Sequence, residues 1–166
     1  MFIGVSPLSS KIIDTLGNTE LLNLYKTAFL CSREIPASIV LKCYDWAVAQ
    51  REQGKCVISG FHSKIEKDVF HYLLSGTQPI IMALARGLKT RIEPDLKSAV
   101  DAGRLLIITI FEKSVKRPDK ETAAARNRFM IEQADEIAVG YAAQGGTIEK
   151  LLQNISRKKI VRIYES

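Results

Sequence analysis

Residues 126–152 read RNRFMIEQADEIAVGYAAQGGTIEKLL, and the fold turns on how this stretch is divided. Met130, Ile131 and Ala134 recur at helical spacing, which gives a helix ending here one apolar face. Asp135 and Glu136 interrupt that pattern. Residues 137–142 (IAVGYA) are then short and apolar, as expected of a parallel strand covered on both faces. Gly145-Gly146-Thr147 turns the chain into a further helix over 147–154. Free amides and the positive end of the helix dipole make such a turn an anion site, and Arg126, Asn127 and Arg128 lie upstream on the preceding helix. Two readings stand side by side: a phosphate cradle, or a tight strand-to-helix turn flanked by solvated arginines.

The same alternation runs outward from this unit. Apolar strands are expected at 27–31, 55–60, 79–84, 105–111 and 160–164, and helices after Pro36, over 64–74, and from Pro94 to Ala102. The Ser63-x-x-Glu66 spacing is that of a capping box, and Gly54, Gly76 and Gly103 stand where helices should stop. Ser6-Pro7 and Gly17 read as the start and stop of a short helix over 8–16, followed by a helical turn at 19–24. Strands alternating with helices give βαβ units and right-handed crossovers. The expected fold is α/β: a Rossmann-like, doubly wound, mainly parallel sheet of about six strands with helices on both faces. Residues 1–24 form a short helical N-terminal appendage and 25–166 a single domain in this reading.

The chain has 166 residues and a formal net charge of +6. At this length one domain buries about 70% of the surface its unfolded chain exposes. No run of 18 apolar residues exists, so no membrane span is expected, and the N-terminus lacks the pattern of a signal peptide. The cytoplasm is the expected location. Cys31, Cys43 and Cys56 form no Cys-x-x-Cys pair and read as buried free thiols. His62 and His71 have no ligand-like partners, so neither a metal nor any other cofactor is expected. The basic balance points weakly to a polyanionic partner.

In an open α/β sheet, ligands bind at the carboxyl ends of the strands. The loops there contain Ser32-Arg33-Glu34, residues 59–63, Ala85-Arg86-Gly87, residues 112–118 and residues 143–147. Small hydroxyls, glycines and arginines suit phosphate better than a metal or an acid–base pair. The first strand is not followed by Gly-x-Gly-x-x-Gly, there is no Gly-x-x-x-x-Gly-Lys-Ser/Thr, and Ser59 lies outside a Gly-x-Ser-x-Gly elbow. His62 stands near Ser59 and Ser63 without a third group to orient it as a base.

Five segments, in order, resemble the Rossmann-type core of DNA-processing protein A (DprA/Smf), the recombination mediator of natural transformation. Residues 29–33 (FLCSR) resemble its first strand ending in Gly-Ser-Arg, and residues 59–66 (SGFHSKIE) its Ser-Gly-x-x-Ser-Gly-Ile-Asp. Residues 83–88 (ALARGL) stand at its Gly-Ser-Gly-Leu. Arg126-Asn127-Arg128 matches its Arg-Asn-Arg, and Gly145-Gly146-Thr147 its Ser-Gly-Ser or Ser-Gly-Thr. The likeness spans roughly 25–155. Cys31 and Lys64 replace glycines, and Glu66 replaces the aspartate. A C-terminal winged-helix-like domain, carried by many members, is not expected here.

The resemblance implies single-stranded DNA binding in DNA uptake and recombination, homodimers and a recombinase partner. Arg33, Arg126 and Arg128 would then meet phosphates, with amides of Gly60, Gly145, Gly146 and Thr147 and polar side chains of Ser32, Ser59, Ser63 and Asn127 beside them. More distantly, the chain is similar to the lysine-decarboxylase-like phosphoribohydrolases that activate cytokinins. Arg126 and Met130 keep the spacing of their Arg-Lys-x-x-Met. Lys150 occupies the place of their catalytic glutamate, and Glu149 is one residue out of register, about 100° away around a helix. The alternative reading is therefore a nucleotide-binding protein or a nucleoside-monophosphate phosphoribohydrolase, with no catalytic residue assigned.

Overall fold

A computed structural model describes residues 11–165 of the chain. In chain order the elements are β1 (Asp14–Gly17), β2 (Lys26–Cys31), α1 (Ala37–Glu52), β3 (Cys56–Ser59), α2 (Lys64–Leu74) and β4 (Ile80–Leu84). They continue with α3 (Pro94–Asp101), β5 (Leu105–Thr109), α4 (Lys120–Gln133), β6 (Glu136–Tyr141), α5 (Thr147–Leu152) and β7 (Ile160–Arg162). One sheet holds all seven strands in the order β1-β5-β4-β3-β2-β6-β7. Every neighbouring pair is parallel except β1 with β5. The doubly wound α/β fold expected from the sequence is the one formed, with seven strands instead of six.

Alternation along the strands sends their side chains to two cores. Ala28, Leu30, Ile58, Ile81, Leu106, Ile137 and Val139 pack with Phe129 and Met130 of α4 and Ile148 and Leu152 of α5. Phe29, Cys31, Val57, Ile80, Leu105 and Ala138 face the other way, onto Cys43 and Ala47 of α1, Val69 and Leu73 of α2, and Ala99 of α3. The helix boundaries follow their local chemistry. Ser63 caps α2 by accepting from the Glu66 amide while Glu66 Oε1 accepts from the Ser63 amide, so the capping box is closed in both directions.

The expected helix over 8–16 is corrected where the structure describes it. Residues 14–17 form β1, and residues 8–10, like the Ser6-Pro7 cap, lie outside the described residues. The helical turn at 19–24 is present as a 3-10 turn, Thr19–Asn23, capped by Asn18. Gly17, read as a helix stop, has another duty. It sits at φ +118, and a Cβ there would come within 2.4 Å of the Leu105 carbonyl oxygen. Gly17→Ala is therefore expected to destabilise the protein by about 1–3 kcal/mol, the scale of one strained backbone position, read as a lower urea midpoint with the β1–β5 pairing lost.

The chain begins at one edge of the sheet with β1 and then crosses to β2, inside the sheet. From β2 it winds through β3 and β4 to β5, then crosses back to place β6 on the other side of β2. The switch point of the sheet is thus the β2–β6 seam, where α/β folds open a crevice. The seam is tied at its amino end: the Lys26 amide donates to Asp135 Oδ2 at 2.8 Å and the Asp135 amide to the Lys26 carbonyl at 2.8 Å. Lys26 Nζ, buried, donates to the Leu22 and Leu24 carbonyls.

Candidate functional site

A cleft of about 690 Å³ opens over the carboxyl end of that seam. The segments after β2, β3 and β6 form its sides, and the first turns of α4 close it from above, with Arg33, His62, Lys120 and Thr147 at its rim. Its floor is Arg126.

Arg126 reaches the floor because of how α4 begins. Asp119 caps the helix: its Oδ1 accepts from the Thr122 amide at 2.8 Å, and its own amide donates to Thr122 Oγ1 at 2.9 Å. Two turns later Arg126 faces the sheet. Its Nη1 donates to the Ala83 carbonyl at 3.2 Å and its Nε to Asn127 Oδ1 at 2.8 Å. Gly60 makes the room. A Cβ at that position would lie 2.1 Å from Nη1 and 2.3 Å from the guanidinium carbon.

Arg126 is only 5% exposed, and no carboxylate pairs with it among the described residues. Burial lowers its pKa, and the field of Glu66 raises it in part. A guanidinium stays protonated regardless, so the floor carries a desolvated positive charge without an ion-pair partner.

The remaining expected residues divide in two. Ser32, Arg33, Ser63, Asn127, Gly146 and Thr147 line the cleft with Arg126. Ser59, Gly60, Gly145 and Arg128 do not. Ser59 is fully buried, where its Oγ donates to the Phe29 carbonyl at 2.9 Å and accepts from the Phe61 amide. Gly60 lies beneath the guanidinium, and Arg128 is exposed elsewhere on α4.

Within the cleft, several of these groups are already engaged. Ser32 Oγ accepts from the Ala143 amide at 2.9 Å, and the Ser32 amide donates to the Tyr141 carbonyl, so this residue stitches the β2 and β6 loops together. The diglycine turn spends its amides internally: Gly145 donates to Glu149 Oε1 at 3.1 Å and Gly146 to the Ala143 carbonyl at 2.9 Å. The expected cradle of free glycine amides is thereby corrected. The cationic side chains lining the cleft are Arg33, Lys120 and, buried, Arg126.

Three carboxylates also line the cleft. Glu34, Glu66 and Asp119 all reach the cleft, but Glu66 Oε1 takes the His62 and Ser63 amides and Asp119 serves as the α4 cap. Sequence reasoning missed Lys120 and Asp119 at the cleft; the Asp119-x-x-Thr122 spacing was a signal for the helix start that brings them there. His62 is held below its ordinary pKa, first by burial and next by Arg126. The Cys31 thiol, hydrogen-bonded to Cys43 and buried, is pushed far up and offers no thiolate. Among the described residues, no group of three or more His, Cys, Asp or Glu could hold a metal ion, and no helix is long and apolar enough to cross a membrane.

The fold is shared with two solved structures. DNA processing protein A from Helicobacter pylori matches with a TM-score of 0.71 at 20% identity, over 97% of this chain and 78% of that one; it is described by its single-stranded DNA binding mode. DNA processing protein A (DprA) from Streptococcus pneumoniae matches with a TM-score of 0.66 at 20% identity, over 84% of this chain and 50% of that one. No family model matches the sequence, and no curated protein matches it at a significant level. At this identity the likeness establishes the fold. The family that the sequence motifs resemble is also the one to which both structures belong.

Proposed function

We propose that this chain binds single-stranded DNA through its phosphates, in the cleft at the β2–β6 switch point. The observation that carries the reading is Arg126, a buried guanidinium with no carboxylate partner among the described residues, on the floor of an open cleft. Keeping such a charge desolvated is costly unless an anion completes it. A phosphodiester oxygen supplies that anion, with Arg33 and Lys120 at the rim adding charge from solvent. The single-stranded DNA binding described for the Helicobacter pylori protein of the same fold supports the choice of ligand. On the same reading the protein works in the cytoplasm in DNA uptake and recombination, as a homodimer that engages a recombinase.

The test is a titration of fluorescein-labelled oligothymidylate followed by anisotropy. Affinity should fall as salt rises from about 50 to 200 mM, because each neutralised phosphate releases counterions. Arg33→Gln, at an exposed position, should weaken binding about severalfold and reduce the slope of log affinity against log salt by about one. Salt-independent binding, or a slope unchanged in Arg33→Gln, would remove phosphate contact from this cleft.

A second reading, a site for a mononucleotide with or without hydrolysis, draws on the cleft volume, which lies in the small-molecule range of about 300–1,000 Å³. Its enzymatic form meets an obstacle. Glu149 accepts from the Gly145 amide, and neither it nor Lys150 lines the cleft. Incubation with AMP separates the two: release of free adenine favours the hydrolase, and salt-sensitive oligonucleotide binding without turnover favours the DNA-binding module.

A further inference from the structure

Arg126 stands between two cavities. Beyond the cleft lies a second one of about 370 Å³, and His62, Ala85, Pro118 and Arg126 line both. The far wall of the second cavity is of two kinds. Phe70, Met82, Leu84 and Leu96 supply apolar surface, while Lys67 and Arg86 supply positive charge against the single carboxylate of Glu93. Arg86 is half-buried, its Nη1 donates to the Gly87 carbonyl at 2.8 Å, and no carboxylate pairs with it among the described residues.

The turn between the two cavities is held in place. Phe61 has φ +49, the left-handed region, and its ring packs on Phe70 with centroids 4.6 Å apart. A non-glycine residue keeps that conformation only where packing over-determines it.

We infer that the second cavity receives the neighbouring nucleotide of the strand whose phosphate rests on Arg126, so that the smallest complete ligand is a dinucleotide. The inference rests on the function proposed above. A mononucleotide phosphate is a terminus and needs only one cavity. A phosphodiester has a nucleoside on either side, and a cation shared by two cavities fits that connectivity. The wall chemistry agrees with it: a base meets Met82, Leu84 and Leu96, and the following phosphate meets Lys67 and Arg86.

The experiment is calorimetric titration of the full chain with thymidine 5′-monophosphate, the 5′-phosphorylated thymidine dinucleotide and a long oligothymidylate. Parent protein is compared with Leu96→Trp, which fills the second cavity, and Lys67→Gln, at an exposed position that leaves the core untouched. The dinucleotide should bind about tenfold more tightly than the mononucleotide, the order of one further phosphate and one further base contact. Leu96→Trp should abolish that advantage and Lys67→Gln reduce it, both leaving mononucleotide affinity unchanged. Equal affinities in the parent, an advantage that survives both variants, or losses equal for both ligands would each overturn the inference. If the oligothymidylate binds but the dinucleotide gains nothing, only the second subsite falls. If no probe binds the parent, the proposed function falls and the subsite with it.

Discussion

Arg126→Met should lose about a hundredfold in affinity for single-stranded DNA, the scale of removing one partner from a buried charge contact, yet remain folded. The stability side follows from the environment of the guanidinium. Its removal gives up the hydrogen bond to the Ala83 carbonyl, worth about 1 kcal/mol net, and the bond to Asn127. It also relieves a desolvated charge that no carboxylate pairs with among the described residues and that Glu66 offsets only in part. Replacing buried charges by apolar side chains of similar volume is often neutral or stabilising, so the unfolding midpoint should move by no more than about 1–2 kcal/mol in either direction. Binding by anisotropy and thermal unfolding by circular dichroism read the two sides separately. A folded methionine variant that binds as the parent does would reject this site, and so would unchanged affinity in folded Arg126→Glu.

Gly60→Ala should produce much of the same functional loss without touching the arginine. The new Cβ would occupy the space of Nη1, 2.1 Å away. Because the obstructed atoms belong to the end of a flexible side chain, the guanidinium can swing aside at a small cost in stability. It then no longer sits on the floor of the cleft. Affinity should drop by about tenfold or more, since displacement of roughly 1 Å already undoes a preorganised contact. The decisive measurement is the double variant. If Gly60 acts only by seating Arg126, adding Gly60→Ala to Arg126→Met changes affinity no further, a strongly non-additive cycle. Additive losses would show that Gly60 contributes independently and that its role as a seat is wrong.

These two residues also show what the sequence made legible. Arg126 announced itself as one of three polar residues on a helix facing the carboxyl end of a sheet, and the strand, turn and helix after it followed from apolar runs and glycines. The capping box at Ser63 and Glu66 fixed the start of α2 because both halves of its chemistry lie within one helical turn. Gly60 was placed in the site for its amide, whereas its contribution is an absent side chain. That could not be read locally, since the group needing the space belongs to a distant helix. Gly145 and Gly146 misled for a related reason. Their amides were expected to be free, but Glu149, one turn onward, satisfies one of them from within the same segment. Strand β1 was missed because Asp14, Thr15, Leu16 and Gly17 carry no strand periodicity of their own. Their extended form comes from pairing with β5, Asp14 opposite Thr109 and Gly17 opposite Leu106.

The seam between β2 and β6 has a kinetic corollary. The Lys26–Asp135 tie at its foot joins residues 109 positions apart, whereas β2 through β5 assemble from successive strand–helix–strand neighbours. Loop closure makes such distant pairings slow and local ones fast. An occupant that grips both banks of the cleft is therefore expected to slow the opening of this seam, read as slower hydrogen exchange of its amides.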